Sequence, residues 1–186
     1  MAIDAESWRQ VVADARRGDR AAADRLVREN TAWIRSVIFA VTGRADGVDD
    51  IAQQVWARAW EQLDTLEDPS RLRSWLYSIA RNAAIDASEA RRRQRQTHKE
   101  WREHAAAARE TSPVLRLAAD ELRTHVLEAI RALPVIYREP FVLRHVEDWS
   151  YAEIAAVLGL PIDSVETRLV RARRLLREWL QGKVEP

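Results

Sequence analysis

Apolar positions along this chain recur every three to four residues and almost never alternate, so the pattern predicts helices throughout. Trp8, Val11, Val12 and Ala15 open the series, and Gly18 supplies a stop. Asp19 is placed to cap a second helix with the stripe Leu26, Trp33, Ile34, Val37 and Ile38, which Gly43 ends. A third helix, starting near Asp49, buries Ile51, Val55, Ala59 and Leu63 and turns Asp50, Gln53, Gln54, Arg58 and Glu61 outward. The loop from Leu66 to Ser70 holds the breaker Pro69 and a candidate cap, Ser70. Leu72, Leu76, Ile79 and Ala83 give a fourth helix its buried stripe, with Trp75 on the same flank. Arg73, Tyr77 and Arg81, spaced by four, share the opposite face.

From Ser88 to Thr111 the apolar period fades into Arg, Gln, Glu and Ala, as expected of a helix end running into a linker. The period returns at Leu115, Leu122, Val126, Ile130 and Leu133. It continues through Phe141, Val142 and Val146, then Ile154–Leu158 and Val165–Leu180. The expected fold class is therefore all-α: two small helical domains, 1–95 and 120–186, joined by a flexible basic linker over 96–119.

Composition narrows the function. Hydrophobic residues make up 47% and charged residues 32%, with only 5 Gly and 6 Pro, which favours long helices with real cores over strands. The absence of cysteine excludes a disulfide, a thiolate nucleophile and a Cys-ligated zinc, and fits a reducing cytoplasm. No apolar run approaches the ~18 residues of a membrane span, and no basic-then-apolar leader opens the chain, so a cytoplasmic protein without membrane insertion is expected. His98, His104, His125 and His145 lack ligand spacing, and neither a glycine-rich phosphate loop nor a Ser/His/Asp constellation is visible. No metal, no cofactor and no enzymatic activity are expected. Eight tryptophans occur; Trp8, Trp33, Trp56 and Trp75 lie at or beside apolar stripes and read as mostly core.

The formal net charge of +1 conceals two blocks of opposite sign. Asp49, Asp50, Glu61, Asp64, Glu67 and Asp68 face a single base, Arg58. Arg91, Arg92, Arg93, Arg95, Lys99 and Arg102 face a single acid, Glu100. Such segregation points to different partners for different surfaces. The arginine cluster fits either a solvated tether or a contact with phosphates.

The run Tyr151–Val170 is the most informative. Ala155 is small enough for two helices to cross closely, and Gly159 suits a tight turn between them. Ser150 and Glu153 have the spacing of a capping box. Ile154, Leu158, Leu160, Val165 and Leu169 make a small shared core, leaving Thr167, Arg168, Arg171 and Arg174 for solvent or DNA. This is a helix-turn-helix whose second helix would enter the major groove, where arginine reads guanine or contacts phosphate. Glu166 could accept from cytosine or pair with a neighbouring arginine.

A helix-turn-helix is common to many regulators, and the first half of the chain discriminates among them. Asp49-Asp50-Ile51-Ala52-Gln53-Gln54-Val55-Trp56-Ala57-Arg58-Ala59-Trp60 is followed by Leu72-Arg73-Ser74-Trp75-Leu76-Tyr77-Ser78-Ile79-Ala80-Arg81-Asn82-Ala83-Ala84-Ile85-Asp86. With Leu133-Pro134 and Arg171-Ala172-Arg173, these motifs resemble the extracytoplasmic-function group of bacterial sigma factors, from about Gly18 to Leu180. The resemblance implies a promoter-specificity subunit of RNA polymerase, whose first domain docks on core polymerase and opens the minus-ten element. Its second domain would read the minus-thirty-five element. It implies a polymerase-binding set of Asp49, Asp50, Ile51, Gln53, Gln54 and Arg58, and a minus-ten set of Asp68, Ser70, Arg73, Tyr77, Arg81 and Asn82 around the Leu66–Ser70 loop. The minus-thirty-five set would be Ser164, Glu166, Thr167, Arg168, Arg171 and Arg174, and an anti-sigma factor is the further implied partner.

The physical reading of the fourth helix agrees, since a melted strand needs positive charge along its backbone and aromatic surface for its unstacked bases. The chain departs from the family's pattern at Gln54, where an acid is usual, at Leu66 and Asp68, where Phe and Gly are usual, and at Glu166, where a base is usual. Gln54 leaves room for weaker or regulated polymerase docking, the loop departures leave the preferred minus-ten base open, and Glu166 leaves the upstream preference open. A rival binding class, an operator-binding repressor or activator, would bind duplex tightly by itself. A helical enzyme would need a concave polar site that these residues do not assemble.

Overall fold

The structure, a computed structural model, describes residues 5–102 and 118–181, with side chains from Trp8 to Gln96 and from His125 to Gln181. Among the described residues every regular element is helical. The first domain comprises α1 (Ala5–Arg16), α2 (Arg20–Thr42), α3 (Val48–Glu61) and α4 (Leu72–Arg102), with two single 3-10 turns, Leu63–Thr65 and Pro69–Arg71, between α3 and α4. The second comprises α5 (Ala118–Ala132), α6 (Val135–His145), α7 (Tyr151–Leu158) and α8 (Ile162–Gln181).

Local chemistry sets the boundaries. Asp19 accepts from the N–H groups of Ala21 and Ala22 at 2.8 and 3.1 Å, capping α2 as its position predicts. Gly43 ends that helix in the left-handed region at φ 67°, its N–H returning to the Phe39 carbonyl at 2.8 Å. The α2 stripe Leu26, Trp33, Ile34, Val37 and Ile38 is buried, as are Val55 and Ala59 of α3 and Leu72, Leu76, Ile79 and Ala83 of α4. These three stripes meet to form the first core. Asn30, also buried, donates to the Leu26 carbonyl and accepts from the Trp33 indole, so neither polar group is stranded.

Two expectations differ from what is found. The fourth helix does not end where its apolar period fades but continues to Arg102, because Arg, Gln, Glu and Ala are strong helix formers that need no buried face. Of the linker expected over 96–119, residues 103–117 lie outside the described residues, as does Leu115; Leu122 lies among those whose side chains are not described. Val126 and Val146, expected in buried stripes, are 41% and 52% exposed. Val146, with Leu127 and Phe39, borders an apolar groove of about 370 Å³ that runs between α5, α6 and the first domain.

The two domains do not stand apart. Helix α6 lies across α2, and Leu143, Trp149, Ile154, Val165 and Leu169 join the first domain's buried residues in a single continuous core.

Candidate nucleic-acid interface

The helix-turn-helix is built by the short-range signals its sequence carries. The Ser150 hydroxyl accepts from the Glu153 N–H at 3.2 Å, while the Glu153 carboxylate accepts from the Ser150 N–H at 2.7 Å, a complete capping box. Burial opposes the Glu153 charge, but the bonds from Ser150 outweigh it and hold the carboxyl below its ordinary range. Gly159 turns the chain at φ 65°, and the N–H groups of Gly159 and Leu160 both return to the Ala155 carbonyl. Val165, Leu169 and Ala172 bury one face of α8. The opposite face leaves Glu166, Thr167, Arg171 and Arg174 exposed, with Ser164 and Arg168 half-buried. Arg174 lies 3.6 Å from Glu178, and the Thr167 hydroxyl donates back to the Asp163 carbonyl. Six candidate side chains of one helix, three of them arginines against one acid, thus lie on its outer face.

Helix α3 presents the second surface. Asp50, Gln53 and Gln54 point into solvent, and Ile51 packs half-buried on the core. Asp49 pairs with Arg35 at 2.7 Å and Arg58 with Asp86 at 3.0 Å, so these two candidates brace α3 against its neighbours. Asp50, Ile51 and Gln54 line a groove of about 910 Å³ whose far wall is α4 from Asp86 to Arg95. Arg91, on that wall, reaches across to Asp46 at 3.2 Å.

The loop before α4 is pinned by an acid. Asp68, not Ser70, caps the Pro69–Arg71 turn: its carboxylate accepts the Ser70 N–H at 2.9 Å and the Ser70 hydroxyl at 2.7 Å. The expected roles are exchanged because Pro69 suits the first position of a helical turn, which moves the cap one residue earlier. Those bonds from Ser70 hold the Asp68 carboxyl below its ordinary value. Arg16 of α1 donates to the carbonyls of Leu63 and Leu66, fixing the loop's near side. Loop and Trp75 line a cavity of about 420 Å³ closed on its far side by Ala156 and Val157 of α7.

Arg73, Tyr77 and Arg81 do share one face of α4, but the second domain covers it. Tyr77 is 1% exposed and its hydroxyl donates to Glu139 at 2.6 Å; Arg81 Nε donates to the same carboxylate oxygen at 2.8 Å. Burial, reinforced by that carboxylate, pushes the phenol well above its ordinary value, so it remains a donor. Arg73 donates to the Glu147 carbonyl at 2.8 Å and sits 4.4 Å above the Trp149 ring, and burial draws its pKa below the ordinary arginine value. Asn82 remains exposed beside them.

Three residues central to this contact carry no signal that the sequence reading used. Trp149, 1% exposed, inserts between Trp33 and Tyr77 with ring centroids 6.2 and 5.6 Å away. Glu139 receives Tyr77 and Arg81. Arg138 donates to the Ala40 and Val41 carbonyls at 2.7 and 3.1 Å, and so satisfies the last turn of α2 from the other domain. A visible clue existed: two adjacent charges followed by Pro140 stand in the middle of a helix whose flanking positions are mostly apolar.

Comparison with known proteins places these surfaces in a family. The sequence profile described as sigma-70 region 2 matches residues 26–96, and that described as sigma-70, region 4 matches residues 123–176. The chain is 31% identical over 183 residues to the RNA polymerase sigma-H factor of Pseudomonas aeruginosa, covering 95% of each. It is 31% identical over 192 residues to the ECF RNA polymerase sigma-E factor of Escherichia coli, covering 95% of this chain and 93% of that one. Among solved structures, CnrH in complex with the cytosolic domain of CnrY is similar with a TM-score of 0.69 and 28% identity, covering 96% of this chain and 99% of that one. The sigma factor RpoE of Bartonella quintana, in complex with the anti-sigma factor NepR, gives a TM-score of 0.64 and 25% identity over 88% of this chain and 98% of that one.

Proposed function

This chain belongs to the sigma-70 family, in its extracytoplasmic-function group, and from that premise we propose how its surfaces divide the work of initiation. It binds core RNA polymerase and directs promoter-specific transcription, with an anti-sigma factor as its further partner. Residues 1–95 dock on polymerase and open the minus-ten element, 96–119 link the domains, and 120–186 read the minus-thirty-five element. Asp49, Asp50, Ile51, Gln53, Gln54 and Arg58 form the polymerase-facing set on α3. Asp68, Ser70, Arg73, Tyr77, Arg81 and Asn82 form the strand-binding set. Ser164, Glu166, Thr167, Arg168, Arg171 and Arg174 meet the upstream duplex.

One observation carries this reading: one chain holds both an open basic recognition helix and a separate arginine–tyrosine stripe on α4. Duplex readout and strand capture need different chemistry, the first matched to base edges in a groove, the second to phosphates and unstacked base faces. The protein acts as an initiation factor rather than a catalyst, in the compartment where polymerase works. No described helix is long and apolar enough to cross a membrane.

The test is reconstituted run-off transcription with core polymerase on promoters selected from random duplex. Specific transcripts that require both the chain and core polymerase are expected. Arg171→Ala should then cost ~1–3 kcal/mol of binding and relax preference at one upstream position. Nanomolar binding of a palindromic duplex by the free chain, with no effect of polymerase, would favour an operator-binding regulator instead.

A further inference from the structure

Of the three proposed surfaces, the α3 and α8 faces lie open, and the α4 stripe alone is covered by the chain itself. What covers it has the chemistry of a nucleic-acid strand. Glu139 places one carboxylate oxygen where Tyr77 and Arg81 both donate, as they would to a phosphate oxygen. Trp149 sets its ring at 54° to Tyr77, with the Arg73 guanidinium over its face, and so fills the space in which those side chains would receive an unstacked base. Glu147, Asp148 and Glu153 lie close enough to Arg73 to favour its charge, extending the acidic surface along the stripe. Arg138 holds this arrangement by bonding the end of α2, in space left open by Gly43, where a Cβ would lie 2.6 Å from the guanidinium.

We propose that the second domain acts as an internal substitute for the melted strand, with Glu139 at a phosphate position and Trp149 at a base position. The free protein then offers its polymerase and duplex faces while withholding its strand face. This rests on the assignment of the α4 stripe to the melted strand. The contact is suited to opening as well as to closing: the buried Trp149 N–H has no acceptor among the described residues, so closure carries a cost that separation in water removes. Polymerase and upstream duplex are engaged first, and the strand is captured once the domains part.

The chain has no cysteine, so two introduced ones define a tether without background. Ser74 and Ala156, exposed and from different domains, line the same cavity of about 420 Å³. In the full-length Ser74→Cys/Ala156→Cys protein they are joined by a reducible bis-maleimide. Binding is measured to two labelled probes from a selected promoter, the single non-template strand of the minus-ten region and the upstream duplex. The tethered protein should bind duplex normally and strand about tenfold more weakly than the same sample after reductive cleavage, which leaves identical adducts. That factor corresponds to ~1.4 kcal/mol. Untethered Glu139→Gln should bind strand about tenfold more tightly than wild type, because the closed state loses its charge-assisted bonds.

Equal strand binding before and after cleavage overturns the inference and leaves the assignment of α4 intact. Loss of duplex and strand together in the tethered form overturns the one-sided closure, and an unchanged Glu139→Gln removes Glu139 from the phosphate position. Absence of strand binding in every form, including the holoenzyme, overturns the assignment of α4 itself.

Discussion

Truncating Trp149 to alanine tests how much of the closed arrangement rests on one side chain. Its ring is 1% exposed, and its aromatic and cationic neighbours Trp33, Tyr77 and Arg73 all belong to the first domain. An indole of this kind buries roughly 200 Å², which at about 25 cal/mol per Å² is ~5 kcal/mol. The Arg73 contact adds ~1 kcal/mol. Removing an unpaired buried N–H returns ~1–3 kcal/mol. The net loss should be ~3–5 kcal/mol, the usual range for a buried tryptophan. Because the lost contacts join domains, the loss should fall on docking rather than on either domain's own fold. Calorimetry should therefore show one cooperative transition in the wild type resolving into two in Trp149→Ala. Hydrogen exchange should accelerate in α6 while the α2–α3 core stays protected. A single transition shifted by less than ~0.5 kcal/mol, as for a surface substitution, would refute the claim that Trp149 couples the domains.

Other outcomes follow from individual contacts. Gly43→Ala should cost at least ~1–2 kcal/mol from its left-handed backbone, and part of any excess should vanish in the double variant with Arg138→Ala, read by denaturant melts. Ser150→Ala should cost ~1 kcal/mol by removing the cap of α7. The Glu153 carboxyl titrates below its ordinary value in the folded state, so its stabilisation is complete above that value and lost as pH falls through the folded one. Wild type should consequently lose more stability than Glu153→Gln between about pH 6 and about pH 3, measured by urea titration. Asp50→Arg should impair holoenzyme assembly in gel filtration while shifting thermal stability by only ~0.5 kcal/mol, and Gln54→Glu should strengthen assembly. Normal assembly by Asp50→Arg would remove α3 from the polymerase interface.

The helices, the Asp19 and Ser150 caps and the helix-turn-helix were legible in the sequence because their causes are local. The Ser150–Glu153 box joins residues three positions apart, the Asp19 cap two or three, and the Gly159 turn needs a single left-handed residue. Periodicity likewise placed the α2, α3 and α4 stripes, since each depends only on the 3.6-residue repeat. The same rule could say that Arg73, Tyr77 and Arg81 share a face, but not what that face meets. Their partners lie 58 to 74 positions away, and Arg138 reaches carbonyls 97 and 98 positions distant. Periodicity also could not tell that Val126 and Val146 remain exposed, because an apolar residue is buried only if another element arrives to cover it. Nothing local marks Glu139 and Arg138 for burial either: a charge joins a buried contact only where tertiary packing supplies its counterpart. Sequence thus determined the elements and their chemical faces, and packing between domains decided that one of those faces is occupied by the chain itself.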